Sequence, residues 1–210
     1  MALITVITAA SSRALTTVAA VMAELGPEWA GQEQLIAGYI AEASEIIEGQ
    51  CNRIFALERL LQVDRELADQ KTMLLGRWPV VSVLQVSRNG AGLDAATYEV
   101  NNTAGTIRPL AGESYCRFPA GRHEVDFWAG YRLPEQSTIG LPTEGVQPLP
   151  AVIGQACIRM VKGRVLGRER DPALKAQEVE GVGRDEYWVG GPAIPEDIAD
   201  ALAPFRMPAI

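Results

Sequence analysis

The sequence is poor in the residues that carry metal and redox chemistry. It has one histidine, His123, in 210 residues, which excludes a histidine-rich metal site. Its three cysteines, Cys51, Cys116 and Cys157, are odd in number, far apart and never spaced C-x-x-C. A disulfide framework is therefore not expected, and a reducing compartment is. Positive charge is also short: 19 Lys and Arg stand against 26 Asp and Glu, a net charge of −7 with a pI of about 4.9. A protein that wraps DNA by neutralising phosphates needs the opposite balance. No apolar run approaches the roughly 18–20 residues of a membrane span. Residues 3–7 are mostly apolar, but the first basic residue is Arg13, so a signal peptide, which wants positive charge before its apolar core, is not expected. G-x-S-x-G, G-x-x-x-x-G-K-[ST] and H-E-x-x-H do not occur.

What is present is a globular composition, 48% apolar and 21% charged. Twenty glycines and thirteen prolines exceed the usual share and imply many turns. A chain of this length buries roughly 70% of its unfolded surface and needs no staple.

The first fifty residues read as helical. Thr8 is a candidate cap for a first helix reaching Leu25, which Gly26-Pro27 ends. A second helix spans about residues 32–51, with Leu35, Ile36, Tyr39, Ile40, Ala43, Ile46 and Ile47 on one face. Its other face carries Glu33, Glu42, Glu45 and Glu48. No Lys or Arg lies between Arg13 and Arg53, whereas six glutamates do. That run is either a solvated helix face or an acidic surface that repels DNA or meets a basic partner. From Arg53 the period becomes two. Phe55, Leu57, Leu61 and Val63 alternate with Glu58, Gln62 and Asp64, as in a half-buried strand. Residues 80–86 form a dense β-branched strand ending at the Asn89-Gly90 turn. Tyr98 and Val100, then Ile107, then Val125, Phe127 and Ala129 mark further strands. Together they predict an antiparallel β-module of about 75 residues.

After a Pro- and Gly-rich loop, Pro148 and Pro150 suit a helix entry. The helix that follows has Val152, Ile153, Ala156, Cys157, Met160 and Val161 on one face. Its end gathers Arg159, Lys162, Arg164, Arg168 and Arg170, cations that complement the negative end of the helix dipole. A phosphate contact is the functional alternative for this cluster. A short helix opened by Pro195 carries Ile198, Leu202 and Phe205, and the chain closes Pro204-Phe205-Arg206-Met207-Pro208. The expected fold is α+β: a helical bundle formed by the N- and C-terminal helices, residues 1–53 and 131–210, with an inserted antiparallel β-module at 54–130. No catalytic constellation stands out. His123 and Glu124 point to opposite faces of a strand, and Cys116 has no second histidine to activate it.

Several stretches carry a resemblance. They are Ile46-Ile47-Glu48-Gly49-Gln50-Cys51-Asn52-Arg53 at a helix end and Leu74-Leu75-Gly76-Arg77-Trp78-Pro79-Val80-Val81-Ser82-Val83 at a strand entry. Val125-Asp126-Phe127-Trp128-Ala129-Gly130-Tyr131 is a third, Leu149-Pro150 before a helix a fourth, and Leu202-Ala203-Pro204-Phe205-Arg206-Met207-Pro208 the last. In this order the sequence resembles the head–tail adaptor (connector, or head-completion) proteins of long-tailed bacteriophages, with Phe127 and Phe205 where that family often has Tyr. The resemblance implies a non-enzymatic virion protein without cofactor or metal, assembled in the host cytoplasm. It implies a ring of copies, typically twelve, beneath the portal protein. Such a ring extends the channel for double-stranded DNA, without reading its sequence, and docks a stopper or tail-side neck protein. It also implies that the C-terminal part reaches the portal, here through Leu202, Phe205, Arg206 and Met207. The acidic residues Glu42, Glu45 and Glu48 and the basic cluster are then candidate ring or channel charges. Twelve copies would carry roughly −84, a field that discourages DNA from sticking. Other readings are another neck component (a stopper or tail terminator), a carbohydrate- or peptide-binding β-module using Trp78, Tyr98 or Trp128, and an enzyme centred on His123.

Overall fold

The computed structural model describes residues 2–65, 69–167, 176–179, 183–186 and 194–207. The chain divides into two compact units, each assembled from two separated stretches. One takes residues 1–13 and 54–149, the other residues 14–53 and 150–210. The elements are those of an α+β protein, with helices from both flanks in one unit and antiparallel sheets in the other.

The sheet unit opens with a departure from the sequence reading. Helix was expected from Thr8, but Leu3–Thr8 is a strand, β1. Leu-Ile-Thr-Val-Ile-Thr is rich in β-branched residues, which lose rotamer freedom in a helix and suit a pleated surface. The remaining strands are β2 (Glu58–Asp64), β3 (Met73–Leu74), β4 (Val80–Arg88), β5 (Ala91–Gly92), β6 (Tyr98–Asn101), β7 (Thr106–Ala111), β8 (Ser114–Tyr115) and β9 (His123–Ala129). A five-stranded sheet has the order β1-β2-β9-β4-β5, and a smaller one the order β3-β7-β6 with β8 beside β7. One apolar cluster joins both: Leu60, Val86, Val125 and Phe127 come from the first sheet, Met73 and Ile107 from the second.

The parity of β2 differs in part from expectation. Glu58 and Gln62, read as solvent-facing, are buried with Leu60. Tertiary partners make this possible, because a buried polar group is tolerated when its hydrogen bonds are made. The Glu58 carboxylate receives Arg77 Nη1 at 3.1 Å and Arg13 Nη2 at 3.0 Å. Gln62 donates to the Leu74 carbonyl and accepts from the Gly76 N–H, both at 2.8 Å. At the far end of β9, Gly130 adopts φ +116°, and a Cβ there would lie 2.2 Å from the Ala56 carbonyl oxygen. Its N–H donates to the Pro79 carbonyl at 2.9 Å. Only glycine fits such an approach.

In the helical unit, α1 (Val18–Leu25) starts at Thr17, whose Oγ1 accepts the Ala20 N–H at 3.0 Å. Helix α2 (Glu33–Cys51) ends at Asn52 in the left-handed conformation. Its Ile36, Ile40, Ala43 and Ile47 are buried, as are Ile153, Cys157 and Val161 of α3 (Ala151–Leu166), against which it packs. Helices α1 and α4 (Glu196–Leu202) also pack on α3. Ser44 lies buried in this core: its hydroxyl donates to the Ile40 carbonyl at 2.7 Å, accepts the Leu15 N–H at 3.1 Å and lies 3.7 Å from Cys157 Sγ. Burial pushes the Cys157 thiol up to about 11, with the Ser44 contact acting weakly the other way. Between α3 and α4 the backbones of β10 (Ala176–Val179) and β11 (Gly183–Glu186) pair antiparallel.

Candidate assembly surfaces

The C-terminal segment was expected to leave the helix as an extended peptide at Pro204. It first makes one 3-10 turn, Ala203–Phe205, and becomes extended at Arg206. Pro204 fits because the first turn of a helix has N–H groups without intrahelical partners, so its missing donor costs nothing. Leu202 is fully buried and belongs to the helical core. Phe205 is half-buried and Arg206 exposed. Arg206 Nε donates to the Gln50 carbonyl at 3.1 Å, and the Met207 N–H donates to the Cys51 carbonyl at 2.8 Å. These contacts satisfy carbonyls at the end of α2 that have no intrahelical donor, and they hold the tail to its own unit as far as Met207.

The basic residues of α3 have acids within the same unit. Arg159 pairs with Asp197 of α4. Lys162 reaches Glu24 of α1 at 3.4 Å, and Arg164 reaches Glu42 of α2 at 3.2 Å. Each pair is well exposed, so each adds little to stability and is free to exchange partners. Glu45 is exposed and makes no ion pair among the described residues, whereas Glu48 is half-buried. Arg168 and Arg170 lie outside the described residues.

The alternative sites look different in place. Trp128 is buried beside Leu57 and Val81, and Tyr98 packs partly against the sheet core, so neither stands open for a ligand. Trp78 is half-buried. His123 is 1% exposed and stacks edge-on against Phe118, with ring centroids 5.2 Å apart. No hydrogen bond of good geometry reaches either ring nitrogen. Burial lowers its pKa, opposed weakly by the Gly121 backbone. Glu124 pairs with Arg122 at 2.6 Å and Asp126 with both Nε and Nη2 of Arg59, while Asp64, opposite His123 across the ladder, favours the charged ring but is outweighed by burial. Among the described residues no group of three or more His, Cys, Asp or Glu could hold a metal ion, and no helix is long and apolar enough to cross a membrane.

One surface escaped the sequence reading. An open groove of about 400 Å³ beside β7 and β8 is lined by Lys71, Thr72, Arg108, Tyr115, Cys116 and Arg117. Its cations come from three separate stretches of chain, so no local run of charge announces it. Arg117 Nη1 donates to the Asp69 carbonyl at 2.6 Å, and the Arg108 guanidinium lies 5.4 Å from the centre of the Tyr115 ring. The Tyr115 hydroxyl donates to Glu99, which pairs across the ladder with Arg108. That carboxylate holds the phenol protonated above its ordinary range.

No protein-family model and no curated protein matches the sequence. Solved structures do match its fold. A chain in the virion of a native gene transfer agent (GTA) particle is 17% identical with a TM-score of 0.60. A chain in the neck of an empty GTA particle, computed with C6 symmetry, is 18% identical with a TM-score of 0.57. A chain in the neck of a native GTA particle, computed with C12 symmetry, is 17% identical with a TM-score of 0.55. Each alignment covers 99% of this chain and 97% of the other, so the two-unit fold is shared from end to end.

Proposed function

We propose that this chain is a structural component of the neck of a phage-like particle, and within the neck a head–tail adaptor. In this reading, copies of the chain form a ring beneath the portal, extend the DNA channel and present a surface to the next neck or tail protein. The observation that carries the reading is the end-to-end likeness of fold to chains from GTA necks and virions. The adaptor-like stretches of sequence, ordered from α2 to the tail, support the finer assignment. The site geometry agrees with a role in assembly: the lone imidazole is buried edge-on against Phe118, and the exposed charge lies in exchangeable surface pairs.

In the adaptor, Phe205, Arg206 and Met207 meet the portal, while Leu202 anchors the segment in the helical core. An aromatic, an arginine and a methionine are residue types enriched at interface centres. The test is electron microscopy of the protein mixed with the portal protein of the same particle. Symmetric rings on the portal are the expected result, and monomers without affinity for it would end the reading. Deleting residues 204–210 separates the tail from the rest. The truncated chain should lose portal binding while keeping its helical circular dichroism; undiminished binding would remove the tail from the interface.

A further inference from the structure

The cationic groove has the features of a prepared docking surface. Three of its six lining residues are cations and none is an acid, although Glu99 touches its edge by accepting the Tyr115 hydroxyl, in a chain with seven excess negative charges. The Asp69 carbonyl holds Arg117, and Arg108 rests against Tyr115. Side chains already held in place lose less freedom on binding. Tyr115 is 57% exposed, and Tyr and Arg are the residue types that most often anchor protein interfaces. A guanidinium fork is matched to a carboxylate, so the groove fits a surface that presents acidic side chains.

The same chain carries such a surface. The outer side of α2 exposes Gly38, Ala41, Glu42, Glu45 and Gly49. A Cβ at Gly38 or Gly49 would meet nothing within 4 Å, so another molecule can approach this helix closely. Glu45 has no ion pair among the described residues, and Glu42 holds only an exposed one with Arg164. We propose that the groove of Lys71, Arg108, Tyr115 and Arg117 receives the acidic face of α2, centred on Glu42 and Glu45, from a neighbouring copy of the chain. The contact is heterologous, groove to helix, and repetition of such a contact closes a ring when its rotation allows. The inference rests on the ring-forming reading above. Duplex DNA is the other polyanion the groove would suit, but the net negative charge of the chain repels it over any distance larger than the groove.

The experiment is ring assembly of the full chain on the portal, followed by electron microscopy and native mass spectrometry. Wild-type rings are the reference; if they do not form, it is the neck reading that fails. The double variant R108E/R117E should raise the concentration needed for rings at least tenfold, and so should Glu45→Lys alone. Combining R108E/R117E with E42K/E45K should restore assembly, with circular dichroism confirming that each variant folds. Rings that form as readily with R108E/R117E or with Glu45→Lys as with wild type would overturn the proposal. So would failure of the folded combination to assemble. A gel-shift assay with a 30-base-pair duplex reads the competing occupant. Duplex binding that vanishes in R108E/R117E while the rings persist would assign the groove to DNA and also overturn the proposal.

Discussion

Glu58 has no exposed side-chain surface, and two guanidiniums share its carboxylate. The two arginines differ in their stake. Arg77 is itself nearly buried, whereas the side chain of Arg13 is 47% exposed. Removing one partner of a buried ion pair leaves an uncompensated charge and costs about 3–5 kcal/mol. Glu58→Ala should therefore destabilise the protein by about that much in urea unfolding, while Arg13→Ala should cost about 1 kcal/mol or less. Alternation alone placed Glu58 outside, since nothing in the local sequence says that Arg77 and Arg13 will converge on it. His123 makes a second prediction at this scale. Burial keeps its folded pKa below the ordinary value, about 6.5 in an unfolded chain. On acidification the unfolded chain takes up this proton first, so the stabilising contribution is whole above pH 6.5 and declines below it. The melting temperature should fall as the pH is lowered from 7 to 5. His123→Phe, which keeps the edge-on stack with Phe118, should flatten that part of the profile.

Among the elements, α2, α3 and β9 were legible from a clean apolar period, and β4 from its density of β-branched residues before a turn signal. The Asn89-Gly90 turn ends β4 as read, with both residues at positive φ. β1 was not legible, because a short apolar run serves a helix or a strand equally well and its partner lies some sixty residues away. The cap that starts α1 is Thr17, not Thr8. Replacing Thr17 by Ala should cost about 1 kcal/mol in thermal or chemical unfolding, whereas Thr8→Ala should leave the helix content unchanged. The Ala129-Gly130-Tyr131 stretch, noticed only as a likeness, has a physical cause in the close approach of Gly130 to Ala56. Gly130→Ala should be among the most damaging single-methyl additions in the chain, seen as loss of soluble folded protein on expression. β1 is also an edge strand, with Leu3, Val6 and Ile7 exposed and no charge before Arg13. Such edges invite unwanted pairing. Val6→Lys should raise the onset temperature of aggregation in light scattering, with little change in the melting temperature.

For the molecule as a whole, charge is divided unevenly between the units. The sheet unit holds ten Lys and Arg against eleven Asp and Glu, the helical unit nine against fifteen. In the sequence, the acidic run of the second helix and the basic cluster of α3 lie more than a hundred residues apart and read as separate surfaces. Packing α2 against α3 brings Glu42 to Arg164, and α1 brings Glu24 to Lys162, a result that depends on three-dimensional neighbours. The groove of Lys71, Arg108 and Arg117 was invisible for the same reason. The pairing of β1 with β2 has a further consequence in time. Leu3 lies opposite Val63, so the first strand leaves the ribosome long before its mate is synthesised. At synthesis rates of about 5–20 residues per second that interval is several seconds, during which a sticky uncharged ribbon must wait. Nascent chains stalled before Asp64 should therefore be captured by chaperones that bind exposed apolar chain, and those stalled well beyond Ala129 should be released.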